Sequence, residues 1–315
     1  MPGLFEPGGL FEKLGGADAV FIDRADRGLV RATGGDRIRF LNGMLSNDLA
    51  PLAAGQACIA TLLDRKGHVL SDLFALVEGD AVLLDTAPGT VEEVFSVLEK
   101  HVIADDVELS NLGGDWDGLS FEGPGARARL EALGHPTPRL AEFEVDDASR
   151  RWLGGGAFAP WSAEGVRVLG PAGSLDGLRA AFPELAGAAA EILRVEIGAP
   201  RYGVDVGPKN FPLEARLDVA ISETKGCYVG QEIIARLISR GAVNRFLVRL
   251  STEALVTPGA TIRSGATRVG AVTSAVESPA SGPLALGYVR RAEAAPGTRL
   301  DVEGVPATVL ETPLP

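Results

Sequence analysis

Short apolar runs alternate with a helical pattern over the first 110 residues. A helix is predicted over Arg37–Leu49, because apolar residues recur there at spacings of three and four and so share one face. These residues are Ile38, Leu41, Leu45 and Leu49. Five runs of strand-forming residues surround this helix, at 19–22, 28–31, 57–63, 68–77 and 81–85. The turn Asp64–Gly67 separates two of the runs and predicts a hairpin.

Glycine and proline residues divide the rest of the chain into further units. Residues 113–185 mix glycine loops, short strands and two short helices, which indicates a second α+β unit. Gly187–Ile197 predicts a stronger helix that ends at Gly198. From residue 244 short strands alternate with proline–glycine turns, the pattern of a small closed barrel. We therefore predict an α+β fold with a C-terminal small β-barrel, divided at 1–112, 113–185, 186–243 and 244–315.

Composition narrows the class of protein. The 315 residues include two cysteines, Cys58 and Cys227, which are too few for a disulfide scaffold or for four thiolates around zinc or an iron–sulfur cluster. We therefore expect no intrinsic metal or cluster. Neither a leader peptide nor an apolar membrane span is evident, so we expect a cytoplasmic monomer.

The net charge of -12 is unevenly distributed. Residues 1–200 hold 17 basic and 31 acidic side chains, whereas residues 201–315 hold 13 and 11. Broad binding to nucleic acid needs a basic footprint, and none covers this chain, so we do not expect direct contact with tRNA. The last third could still bind a small anion.

The segment KGCYVGQE, residues 225–232, concentrates the candidate chemistry. Gln231 and Glu232 begin a predicted helix that ends at Gly241. Cys227 lies two residues from Lys225 and just before that helix, and a nearby cation and a helix N-terminus both favour a thiolate. Cys227 is therefore a candidate reactive thiol, and the alternative is a small buried apolar residue.

KGCYVGQE resembles the signature of the YgfZ-type folate-binding proteins, relatives of the glycine cleavage T-protein (aminomethyltransferase). That family is associated with the maintenance of iron–sulfur enzymes and with tRNA modification. Further segments are similar to family elements and occur in the same order. They are FLNGMLSNDL (40–49), DRKG (64–67), LRVEIGAP (193–200), PLEA (212–215) and VGAVTS (269–274).

The resemblance implies three parts around a central folate pocket, which residues 186–243 complete. Glu196 matches the folate-binding glutamate of the T-protein, and a carboxylate can accept two hydrogen bonds from the amide-and-amine edge of a pterin. Its alternative role is a helix-surface ion pair with Arg194. Lys225 and Arg236, together with Arg240, would meet the carboxylates of the folate tail. The remaining residues assigned to the pocket are Asn47, Asp48, Asp72 and Tyr228, of which Asn47 and Asp48 could otherwise simply end the first helix.

One position departs from the T-protein pattern. The aminomethyltransferases carry two consecutive aspartates after the hairpin, and the first is essential for transfer of the aminomethyl carbon to tetrahydrofolate. Here the pair is Ser71-Asp72. Because serine cannot supply the charge of a carboxylate, ordinary T-protein catalysis is not expected unless Asp72 takes that role.

The leading hypothesis is a tetrahydrofolate-binding protein that supports assembly or repair of iron–sulfur clusters and, through cluster enzymes, tRNA modification. Its partners would be iron–sulfur enzymes or cluster carriers. The second hypothesis is a folate-dependent aminomethyl or methyl transferase, or a demethylase, acting on a small amine. The third is a scaffold with a degenerate folate pocket.

Overall fold

The computed structural model describes residues 17–158, 162, 164–241 and 243–311. No helix within these ranges is long and apolar enough to cross a membrane. The first 16 residues, on which the expectation of an absent leader rests, lie outside the described part.

An antiparallel five-stranded sheet, called here the N-terminal sheet, forms the first layer. Its spatial order is β3-β4-β5-β2-β6, and the strands are β2 (Gly28–Thr33), β3 (Gln56–Leu63), β4 (Val69–Val77), β5 (Ala81–Thr86) and β6 (Glu108–Asn111). Helices α1 (Arg37–Met44) and α2 (Val91–Glu99) cover one face. The predicted hairpin is confirmed, since Asp64 and His68 close the turn between β3 and β4 through a backbone hydrogen bond of 2.9 Å.

The predicted length of the first helix is wrong at its C-terminal end. Helix α1 ends at Met44, and Leu45 is extended and forms a β-bridge with Leu62 of β3. Leu45 and Leu49 are nevertheless fully buried. The apolar spacing of four residues therefore continues beyond the end of α1. Leu45 is buried because the extended chain pairs with the sheet there, not because the helix continues.

A second antiparallel sheet, the central sheet, has the order β1-β7-β10-β9-β8. Its strands are β1 (Val20–Asp23), β7 (Trp116–Glu122), β8 (Phe143–Val145), β9 (Arg151–Gly154) and β10 (Val166–Pro171), accompanied by helices α3 (Ala126–Ala132) and α4 (Asp176–Ala181). Strand β1 precedes the N-terminal sheet in sequence but pairs with β7. The turn between β1 and β2 therefore runs from one sheet to the other.

The C-terminal segment is a closed six-stranded barrel of order β11-β14-β13-β12-β15-β16, which confirms the predicted architecture. Its strands are β11 (Arg245–Thr252), β12 (Thr261–Ser264), β13 (Thr267–Ser278), β14 (Gly282–Arg290), β15 (Arg299–Val302) and β16 (Val305–Leu310). Helices α5 (Gly187–Ile197) and α6 (Gln231–Arg240) precede it and end at Gly198 and Gly241, as predicted, both with positive φ.

Helix α5 joins the barrel to the remainder of the protein. Ile192 and Val195 pack on barrel residues, whereas Arg194 on another face is 1% exposed. The Arg194 guanidinium donates to Asp205 Oδ2 at 2.6 Å and to Ser274 Oγ of β13 at 2.7 Å. Asp205 Oδ1 in turn accepts from Ser274 at 2.8 Å. One buried ion pair thus connects α5, the loop after it and the barrel.

Replacing Asp205 by asparagine should destabilise the protein by about 1–3 kcal/mol, because Arg194 loses a buried charged acceptor and keeps only Glu191 as a counter-charge. Urea unfolding followed by circular dichroism measures this loss. Asp301→Asn is the matched control, since the Asp301 carboxylate accepts an exposed turn hydrogen bond from the Gly304 amide. Equal stability of the two variants would contradict the structural role of the Arg194–Asp205 pair.

Candidate functional site

A cavity of about 310 Å³ lies where the two sheets meet α5. Its walls come from the β1–β2 turn, strand β4, the segment before α5, and α5 with the residues that follow it. The charged and aromatic residues of the wall are Asp23, Arg24, Asp26, Arg27, Asp72, Phe74, Phe158, Glu184, Glu191, Arg194, Arg201 and Tyr202. Its volume is at the lower end of the roughly 300–1,000 Å³ typical of small-molecule sites.

Alternation along β4 decides which member of the Ser71-Asp72 pair reaches the cavity. Successive strand residues point to opposite faces, and Asp72 lies on the cavity wall together with Phe74. Ser71 is fully buried on the other face, where its hydroxyl lies 2.8 Å from Thr90 Oγ1 and accepts from the Ala87 amide at 3.2 Å. The serine substitution therefore leaves a carboxylate facing the cavity.

Asp72 lies at the edge of a buried charge cluster. Burial raises the pKa of the Asp72 carboxyl, against the opposing effect of Arg27, whose Nη1 is 3.9 Å from Asp72 Oδ2. Arg27 is held mainly by Asp85, with Nε 2.6 Å from Oδ1, and Asp85 also pairs with Arg167 at 3.0 Å. Asp72 is thus the carboxyl of this cluster that lines the cavity, and it retains a proton more readily than an exposed aspartate.

A second carboxylate enters the cavity from α5. Gly187, Ala190, Glu191 and Arg194 line the cavity along one helical face. Glu191 accepts from Arg194 Nη2 at 2.6 Å and from Nε at 2.9 Å. Burial opposes ionisation of Glu191, but the hydrogen bonds from Arg194 outweigh it and hold the pKa below its usual value. Glu191 is therefore a fixed, ionised acceptor.

Glu196 occupies a different face of the same helix. Glu196 lies five positions after Glu191, which is about 140° around the axis at 3.6 residues per turn. Glu196 is 1% exposed, and its carboxylate accepts from the Ser278 hydroxyl of β13. It therefore packs against the barrel and does not line the cavity, in contrast to the pocket role inferred from the resemblance.

The Lys225 ammonium forms its hydrogen bonds inside the protein. Its Nζ donates to the carbonyl oxygens of Asn42, Leu45 and Asn47 at 2.6–2.7 Å, which matches the three N–H bonds of an ammonium. These carbonyls lie at the C-terminus of α1, where a cation is favoured. Burial lowers the pKa of Lys225 to about 8, although Asp48 opposes that shift. The signature lysine thus anchors its loop to α1.

The other predicted residues also lie outside the cavity wall. Asn47 donates to the backbone of Ile59 and Val219, at 2.7 and 3.1 Å, and Asp48 accepts from the Ala50 amide at 3.1 Å.

The residues of the signature loop and α6 differ in exposure. Tyr228 is buried, and burial raises its pKa to about 12. Cys227 is exposed, whereas Cys58 is partly buried and burial raises its pKa to about 12. Arg236 forms an exposed pair with Glu232 at 2.7 Å. Of the eight residues predicted for the site, the structure places Asp72 on the cavity.

Sequence reasoning missed most of the cavity wall. Arg24 and Arg27 lie in the turn that crosses between the sheets, and nothing in their spacing indicates that crossing. The i,i+3 pair Glu191–Arg194 was detectable as a helical ion pair, but which face of α5 meets a cavity depends on the tertiary packing.

Comparison with known proteins gives two family matches. Residues 17–149 match the GCVT N-terminal domain, and residues 245–314 match the glycine cleavage T-protein C-terminal barrel domain.

Individual relatives agree with these matches. A chloroplastic protein of Arabidopsis thaliana, named as a candidate transferase, is 28% identical over 93% of this chain and 71% of its own length. The aminomethyltransferase of Mycobacterium avium is 29% identical over 82% of this chain and 73% of its own. The crystal structure of the glycine cleavage system aminomethyltransferase T from Bartonella henselae superposes with a TM-score of 0.86 at 25% identity, covering 100% of this chain and 91% of that one. The chain therefore belongs to the glycine cleavage T-protein (aminomethyltransferase) superfamily, with both its N-terminal domain and its C-terminal barrel.

Proposed function

We propose that this protein binds tetrahydrofolate in the cavity and transfers to it a one-carbon unit from a small aminomethylated molecule. The observation that carries the proposal is the position of Asp72, a partly buried carboxyl on the cavity wall. The relatives named aminomethyltransferase support the reaction class.

The cavity wall suits a reduced pterin. The ionised carboxylate of Glu191 can accept from the amide-and-amine edge of the ring. Phe74, Phe158 and Leu185 offer apolar surface to its faces. The wall also carries guanidinium groups, which can donate to a carbonyl or carboxylate oxygen. Glu191 replaces Glu196 in this proposal because it is the acidic residue of α5 that faces the cavity.

The reaction needs no oxidant. A donor X–CH₂–NH₂ and tetrahydrofolate would give 5,10-methylenetetrahydrofolate, XH and ammonia, and tetrahydrofolate supplies the two amines that accept the carbon. The raised pKa of Asp72 favours its protonated form more than in an exposed aspartate. Asp72 can therefore give a proton to the leaving amine and, once ionised, stabilise positive charge on the carbon being transferred. Arg27, 3.9 Å away, limits how far the pKa of Asp72 rises.

Replacing Asp72 by asparagine should lower the transfer rate about 10²- to 10⁴-fold, the usual contribution of a general acid–base group. The reverse reaction provides the assay: consumption of 5,10-methylenetetrahydrofolate that depends on ammonia and on dithiothreitol as XH. Ser71→Ala is the matched control and should keep the rate, because Ser71 contacts Thr90 away from the cavity. An unchanged rate in Asp72→Asn would refute the proposed role of Asp72.

Replacing Glu191 by glutamine should weaken tetrahydrofolate binding roughly 10- to 100-fold, because a charged acceptor contributes about 1.5–3 kcal/mol to a hydrogen bond. Glu196→Gln on the same helix should change the affinity less than threefold. Calorimetric titration of both variants measures the difference. The reverse order of effects would restore Glu196 as the pterin ligand.

A second candidate function follows from the signature loop. The exposed thiol of Cys227 lies on a loop that Lys225 anchors to α1. An accessible thiol held in place outside the cavity is consistent with a role toward another protein, as in the YgfZ-type support of iron–sulfur enzymes.

In cells that lack the native gene, Cys227→Ala should fail to restore a cluster-dependent methylthiolation of tRNA, whereas Cys58→Ala should restore it. Cys58 is the control because it is the other free cysteine and is partly buried in β3. Modified nucleosides are quantified by mass spectrometry of total tRNA. Full restoration by Cys227→Ala would exclude the thiol from that function.

A further inference from the structure

Arg24 is a cation of the cavity wall that forms no direct ion pair within the described part of the chain. Its side chain lines the cavity, and burial lowers its pKa, with the neighbouring Arg27 adding to the shift. Its Nε is buried without a hydrogen-bond partner among the described residues. Its guanidinium forms no ion pair with any carboxylate in the described ranges, and its nearest aromatic contact is Phe158, 6.0 Å from the ring centroid.

The carboxylates around Arg24 are already used or too distant. Asp85 pairs with Arg27 and Arg167, and Asp23 pairs with Arg179 at 3.0 Å. Asp26 and Asp72 act on Arg24 through longer-range attraction. Glu122, which Arg24 also influences, accepts hydrogen bonds from the Ser120 hydroxyl and the Ala157 amide.

Arg201 provides the contrast on the same cavity. Its guanidinium pairs with Glu191 at 3.2 Å. Removing a charge from water is costly unless it is paired, and the buried Nε of Arg24 has no hydrogen-bond partner among the described residues.

The backbone of β7 leaves room for the base of the Arg24 side chain. Gly118 of β7 accepts the Arg24 amide hydrogen bond at 2.9 Å, and a Cβ at Gly118 would lie 3.3 Å from the Arg24 Cβ. The base of the Arg24 side chain therefore lies close against the central sheet.

We propose that Arg24 binds a carboxylate of the molecule in the cavity. A guanidinium recognises a carboxylate by two parallel hydrogen bonds. The inference rests on the proposed function, in which two molecules meet in the cavity. The carboxylate belongs either to the glutamate of tetrahydrofolate or to the donor X–CH₂–NH₂, and its chemistry is the same in both cases.

The folate source is tested by titrating the full chain with tetrahydrofolate and with 6-methyltetrahydropterin, which lacks the glutamate. If the glutamate is the ligand, Arg24→Gln weakens tetrahydrofolate roughly 10- to 100-fold and leaves the pterin unchanged. Equal weakening of both molecules would show that Arg24 contacts the pterin ring and would overturn the proposal.

The donor source is tested in the reverse assay with two matched thiols as XH. Mercaptoacetate carries a carboxylate, and 2-mercaptoethanol does not. If the donor carboxylate is the ligand, the wild type uses mercaptoacetate with a KM at least about tenfold lower, and Arg24→Gln abolishes that preference. Arg24→Lys should restore part of it, because the charge is retained without the bidentate geometry.

Arg236→Gln is the matched control, since Arg236 lies outside the cavity wall in an exposed pair with Glu232, and it should preserve the carboxylate preference. Arg24→Gln should not lower the melting temperature of the ligand-free chain. A clear loss of stability would mean that the guanidinium already has a partner within the protein, and this would overturn the proposal. An unchanged response to every ligand would equally overturn it.

If the wild type binds no tetrahydrofolate, the proposed function fails. Mercaptoacetate should then still raise the melting temperature of the wild type and not of Arg24→Gln.

Discussion

The buried ion pair between Arg194 and Asp205 is the contact on which the arrangement of the parts depends. Arg194 reaches Glu191 on one side and Asp205 and Ser274 on the other. The same guanidinium therefore orients a cavity carboxylate and fastens α5 to the barrel. Burying these charges is costly in itself, but the network leaves each partner hydrogen-bonded and fixes the direction from which Glu191 enters the cavity.

The side-chain periodicities of β4 and α5 determine which polar residues face the cavity. The two-residue repeat of β4 turns Asp72 toward the cavity and Ser71 toward Thr90. The 3.6-residue repeat of α5 turns Glu191 toward the cavity and Glu196 toward the barrel. In both cases two polar residues that are close in the sequence face different parts of the structure. The serine at position 71 is therefore compatible with a transferase, since it alters the interior between the N-terminal sheet and its helices.

The elements that sequence reasoning predicted well are those with local signals. Helices α5 and α6 end at glycines with positive φ, and turns set the spacing of the barrel strands. The end of α1 was missed because Leu45 keeps an apolar spacing after the chain has become extended. The cavity was missed for a related reason: β1 pairs with β7, about a hundred residues away, and that pairing brings Arg24 and Arg27 to β4. Lys225 shows the same limit, since its charge, together with those of Arg236 and Arg240, suggested an anion site, whereas its contacts are three backbone carbonyls.

The most direct test of the account is a calorimetric titration of the wild-type chain with tetrahydrofolate. The account predicts saturable binding at one site per chain, with a dissociation constant below about 1 mM, within the usual range for enzyme substrates. The absence of saturable heat at that concentration, in protein shown to be folded, would contradict the assignment of the cavity as a folate site.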